Sequence, residues 1–199
     1  MRIRFLFTSV MLLSVLLICS CGKKPVVSSN NYVTKQITES VPCFNSISVD
    51  DDIDVAFVTG ECAVSVYSAD NVVDYIAVKV ENETLRVGYA PDVVVVGDDN
   101  TTVYVSAPQL CAVTHNGSGD VTLTGTTSNA VYTVNGSGDL DADEMVADTL
   151  TVTVNGSGDV DCYARNLLIA NRAGRGEINY EGAPTLQVQA NGRGIERDN

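Results

Sequence analysis

Five copies of one short motif limit what this chain can fold into. Asn116-Gly117-Ser118-Gly119-Asp120-Val121 returns as Asn135-Gly136-Ser137-Gly138-Asp139-Leu140 and as Asn155-Gly156-Ser157-Gly158-Asp159-Val160. It recurs in altered form as Ala173-Gly174-Arg175-Gly176-Glu177-Ile178 and Asn191-Gly192-Arg193-Gly194-Ile195. The starts lie 19, 20, 18 and 18 residues apart, and glycine holds the same two offsets in every copy. A fixed period of this size with one corner per period predicts a β-solenoid, whose coils bury their apolar faces against one another.

The flanks of the motif agree with this. Five residues before each copy stand Cys111, Ala130, Leu150, Leu168 and Leu186, and three before stand Val113, Tyr132, Val152, Ala170 and Val188. After the corner, Val121 and Leu123, Leu140 and Ala142, Val160 and Cys162, and Ile178 and Tyr180 alternate with Thr122, Asp141, Asp161 and Asn179. Alternation of this kind puts one side of a strand in a core and the other outside. Each period is therefore expected to hold at least two short strands and two turns. Asn-Gly also suits the tight turn of a hairpin, which would make the region an antiparallel meander. The regular spacing and the matching side chains favour parallel stacking.

Within the corner, two glycines indicate positive φ or close approach between coils. Asp120, Asp139, Asp159 and Glu177 would stack as a row of carboxylates that could hold calcium, loosely as in calcium-binding β-rolls. The arginines of the last two copies, Arg175 and Arg193, are expected to project outward and pair with Glu177 or Glu196, and the altered copies to cap the stack.

Upstream, residues 32–108 read as short strands near 33–38, 45–49, 53–58, 63–67, 72–80, 84–89, 93–96 and 102–106, separated by turn-forming runs such as Asp50-Asp51-Asp52 and Glu81-Asn82-Glu83. The predicted class is all-β. Residues 109–199 form the repeat region. The start reads as a secretory leader over residues 1–20, with Arg2 and Arg4 before an apolar run that is too short to span a bilayer. Ile18-Cys19-Ser20-Cys21 resembles a bacterial lipobox, which makes Cys21 the acylated residue and 21–31 a polar tether.

Without Arg2 and Arg4 the chain carries 10 basic against 25 acidic residues, a formal charge of about −15. Such a surface repels nucleic acid and favours protein, glycan or cation partners. Cys43, Cys62, Cys111 and Cys162 permit two disulfides in any of three connectivities, or free buried thiols. No catalytic set emerges. His115 is the one histidine and sits in a core-facing run, and Ser118, Ser137 and Ser157 lack a partner base. Asp50, Asp51, Asp52 and Asp54 read as a solvated turn, as do Asp98 and Asp99.

The Gly-Ser-Gly-Asp corners resemble those of the auto-transporter adhesin, head GIN domain family, a domain of unknown function in exported bacterial proteins. Phe44-Asn45-Ser46-Ile47-Ser48-Val49, Ile53 to Gly60, Glu83 to Val87 and Ile178 to Pro184 resemble it too. The likeness covers about residues 40–197. It implies right-handed β-helix-like coils, frequent on lipoproteins of the Bacteroides group, and transfers no catalytic residue. The expected function is a non-enzymatic, lipid-anchored cell-envelope protein of the outer membrane, an adhesin or scaffold for glycan or protein ligands. A calcium-dependent structural module is the alternative.

Overall fold

The computed structural model describes residues 23–37, 41–97, 100–189 and 194–198. The expected leader, the acylation site Cys21, the Asp98-Asp99 turn and Arg193 lie outside them. The β class holds: among the described residues there is no α-helix, only a 3-10 turn at Val73–Tyr75. The strands before the repeats are β1 (Lys24–Val27), β2 (Tyr32–Gln36), β3 (Ser46–Val49), β4 (Asp54–Thr59), β5 (Ala63–Ala69), β6 (Ile76–Glu81), β7 (Thr84–Tyr89), β8 (Val93–Val96) and β9 (Thr102–Ala107). The repeats supply β10 (Ala112–His115), β11 (Val121–Val134), β12 (Leu140–Val154), β13 (Val160–Arg172), β14 (Ile178–Gly182), β15 (Thr185–Val188) and β16 (Ile195–Arg197). Fourteen of them form one curled sheet, while β1 and β8 pair separately.

The repeats pair in parallel and in register. Val121, Leu140, Val160, Ile178 and Ile195 stand side by side, as do Val113, Tyr132, Val152, Ala170 and Val188. A meander of hairpins would make these neighbours antiparallel, so the corner is not a hairpin turn. The inward columns are buried, Val121, Leu140, Val160, Leu150 and Leu168 at no more than 1 % exposure. Each large aliphatic side chain so buried contributes about 1.5–3 kcal/mol. The last copy departs from the pattern: Leu186 and Val188 are 38 % and 41 % exposed, because among the described residues β15 pairs only with β13.

The expected two short strands per period are replaced by one long strand. β11, β12 and β13 run 14, 15 and 13 residues from one corner to the next. The second bend does not break the ladder but is taken up by bulges, the first between Thr122 and Gly125. Gly125 sits there at φ +138, and a Cβ on it would collide with the Thr59 hydroxyl. These bulges also explain the uneven period. β12 carries Asp143, Glu144 and Met145 as extra residues against β13, so the copies differ in length while the corners stay aligned.

The segment Asp50–Asp54 is itself a corner. β3 pairs with β10 and β4 with β11, which places Asp50, Asp52 and Asp54 beside Asn116, Ser118 and Asp120. β7 and β9 flank this first corner on its other side. Antiparallel β6, β5 and β2 finish that end of the sheet. In space the β7/β9 layer therefore precedes the β3/β4 layer, against chain order.

Lys24–Val27, expected to belong to the tether, is instead strand β1 on β8, and Ser29 and Asn31 bond Asp70. Of the cysteines, Cys43 and Cys62 are joined, whereas Cys111 and Cys162 are free. Burial pushes the Cys162 thiol up to about 12, and it donates to the Asn179 carbonyl at 3.5 Å.

Candidate binding site

The stacked corners form two hydrogen-bonded ladders. In the first, the Asn116 amide donates to Asp50 Oδ1 at 2.7 Å, Asn135 to Asn116 at 2.8 Å, and Asn155 to Asn135 at 2.8 Å. In the second, each carboxylate accepts the backbone N–H of the acidic residue one coil on. Asp54 accepts from Asp120, Asp120 from Asp139, Asp139 from Asp159 and Asp159 from Glu177, at 2.7–3.0 Å. The acidic residue thus has a structural use: it satisfies a main-chain donor at the point where the coil turns.

The glycines are required by close approach. A Cβ on Gly136, Gly156 or Gly174 would overlap the carbonyl oxygen of the glycine one coil before, and the second glycines, Gly138, Gly158 and Gly176, meet the same obstacle. None of these six has φ in the left-handed region. The first corner manages with Asp51 and Ile53, and Asp51 takes φ 65 there.

The four residues considered for calcium, Asp120, Asp139, Asp159 and Glu177, come out one per coil. The first three each have an oxygen committed to the next coil's amide. Among the described residues no three acidic, histidine or cysteine side chains converge as a metal site.

His115 is fully buried behind the corner at the position that Val49, Val134 and Val154 occupy in neighbouring layers, and neither ring nitrogen has a hydrogen-bond partner among the described residues. Burial lowers its pKa, opposed by weak hydrogen bonding with the Gly119 and Gly138 backbone, too long or bent to satisfy the ring, and by the charges of Asp120 and Asp139. Arg172 takes that position in the next layer and donates to the carbonyl oxygens of Gly176 and Arg175. The pairing expected between Arg175 and Glu177 or Glu196 does not occur among the described residues. Arg172 caps the corner instead.

Several concavities mark the surface, and two of them bear on a binding site. One, of about 1100 Å³, follows the corners: its floor is the Asn-Gly-Ser runs, and its wall is Tyr89 and Val93–Val95 of β8. The other, about 530 Å³, lies on the outward face of the sheet around Val58, Tyr104 and Ser106. One row of outward side chains crosses it and continues along the repeats. From β2 to β16 the row reads Gln36, Ser65, Tyr104, Ala56, Thr122, Asp141, Asp161, Asn179 and Glu196. Burial raises the pKa of Asp141, and Asp143 and Asp161 contribute.

Thr122, Asp141, Asp161 and Asn179 were expected to face outward and do. Tyr104 was not singled out. Its signal was the alternation of β9, where Val103 and Val105 face the core and the aromatic between them faces out. The first corner, expected to be a solvated turn, is instead paired with the second, and Asp50 and Asp54 keep the spacing of Asn116 and Asp120.

A family model described as "Putative auto-transporter adhesin, head GIN domain" matches residues 43–122 and again 111–184. The crystal structure of a putative adhesin from Bacteroides fragilis is similar over 87 % of this chain and 96 % of that one, with 18 % identity and a TM-score of 0.57. A putative adhesin from Parabacteroides merdae matches over 88 % and 99 % of the two chains, at 18 % identity and a TM-score of 0.45. No curated protein matches.

Proposed function

Because the chain belongs to the family described as "Putative auto-transporter adhesin, head GIN domain", we propose that it is a non-enzymatic binding module of the cell envelope. In this reading a lipid on Cys21 holds it to the outer membrane, the repeats act as β-solenoid coils, and the outward face meets a glycan or protein ligand. Family membership itself points to the cell surface or envelope. The observation that carries the proposal is the outward row, which presents aromatic, hydroxyl, amide and carboxylate groups in register across nine strands. The residues that a catalytic reading would need are occupied elsewhere: His115 is in the core and the corner carboxylates bond the next coil. The adjacent repeats are paired in register, which holds the outward side chains at fixed spacing.

Binding to whole cells and to a glycan array tests the proposal. The full chain is expected to bind, and Thr122→Ala combined with Asn179→Ala to weaken binding about tenfold, with the melting midpoint lowered only slightly, because Thr122 is exposed and the half-buried Asn179 gives up one surface hydrogen bond to Asp161. Equal binding by this variant would move the site off the row. Failure of the unmodified chain to bind any cell or glycan would remove the adhesin reading.

A further inference from the structure

We propose that the charge-free end of the outward row, centred on Tyr104, is a binding site for a neutral linear oligosaccharide; this deepens the binding-module reading and rests on it. The chain has 37 charged residues, 12 basic and 25 acidic, yet none of the residues lining this concavity is charged. Tyr104 is 50 % exposed, and its neighbours in the row, Ser65 and Ala56, are small enough to leave the ring open. The C–H face of a pyranose packs on such a ring, as apolar groups do on aromatic faces generally.

Hydrogen-bonding groups flank the ring at strand spacing, about 4.8 Å apart. The hydroxyls of Ser65 and Thr122 and the amide of Gln36 stand in the same row, and no side-chain partner holds them among the described residues. Each hydroxyl can both donate and accept, which suits a ligand made of hydroxyls. The volume, about 530 Å³, falls within the range of about 300–1,000 Å³ for ligand pockets. An extended peptide fits less well. The strands beneath, β5, β9, β4 and β11, are paired on both sides, so no unpaired main chain is left for strand addition.

The row also sets the sign of the ligand. Beyond Thr122 it runs into Asp141 and Asp161, and residues 87–164 contain no lysine or arginine. Carboxylates accept hydrogen bonds from sugar hydroxyls but repel uronic acids, sialic acids and phosphates. A chain of neutral sugars that lies across the strands can place one ring on Tyr104, and a later ring, two strands or about 10 Å on, over Thr122.

Affinity electrophoresis of the full chain in native gels containing glucan, mannan or xylan, with polygalacturonate as the acidic polymer, tests this. At least one neutral polymer should retard the protein and polygalacturonate should not. Tyr104→Ala should reduce the affinity about tenfold or more, equivalent to about 1.4 kcal/mol or more, while Tyr104→Phe keeps most of it. Should Tyr104→Ala melt early, Ser65→Ala with Thr122→Ala supplies the same comparison. Retardation by polygalacturonate alone, by no neutral polymer, or unchanged in both variants overturns the site. If the chain binds cells while these variants bind equally, this site fails and the binding-module reading stands. If it binds neither cells nor polymers, both fail.

Discussion

Gly156→Ala should cost the domain about 3 kcal/mol or more, and the variant should melt roughly 6–12 °C lower, given about 2–4 °C per kcal/mol for a chain of this size. The reason is steric. The new Cβ would overlap the Gly136 carbonyl oxygen and lie 2.7 Å from the Asn135 oxygen and 2.8 Å from its carbonyl carbon. The obstacles are backbone atoms of a coil paired on both sides, so no side chain can turn aside. Gly60→Ala is the control, since its Cβ would first meet Ser106 at 3.7 Å. Thermal melting of both variants checks this. Similar midpoints would mean that the coils are not packed backbone to backbone at the corner.

His115→Val should stabilise the domain, and by more in acid. A polar ring buried with only weak contacts to the Gly119 and Gly138 backbone costs about 1–3 kcal/mol, and valine already fills the equivalent position in three neighbouring layers. The smaller volume of valine takes back part of that gain, so the pH dependence is the sharper readout. Burial depresses the folded-state pKa of His115 below its unfolded value near 6.5. The unfolded chain therefore takes up this proton first as pH falls. The histidine's contribution is fully present above about pH 6.5 and is lost below it, until the folded form also titrates. Urea unfolding of both chains at pH 7.5 and pH 5 reads the difference. The advantage of the valine chain should grow toward pH 5, and an advantage that shrinks there would mean that the Gly119 and Gly138 backbone, Asp120 and Asp139 together outweigh burial.

The strand positions and the repeat were legible because alternation and period depend on local side chains, as in Val121, Thr122 and Leu123. What was not legible depends on neighbours distant in sequence. The Asp50–Asp54 corner looked like a solvated turn, since its partner Asn116–Asp120 lies 66 residues away. The long strands were divided in two because the bulges at Gly125 and at Asp143–Met145 bend the chain without a turn motif. Lys24–Val27 has no core periodicity and becomes a strand only against β8. Four cysteines left three connectivities open, and Cys43 meets Cys62 because the folded chain brings those two together. In the candidate site, the outward direction of Thr122, Asp141 and Asp161 followed from alternation. That Ser65 and Tyr104 extend their row required the antiparallel pairing of β5 with β9.

The corner carboxylates serve the stack itself, and in the proposed function binding belongs to the outward face. Melting of the full chain in millimolar calcium and in excess chelator tests this most directly. A bound cation at 100 times its dissociation constant would add about 2.7 kcal/mol and raise the midpoint by several degrees. Because Asp120, Asp139 and Asp159 already accept the next coil's amide, the midpoint is expected to be the same in both. A calcium-dependent rise that disappears in Asp139→Asn would contradict the account and make the corners a metal rail.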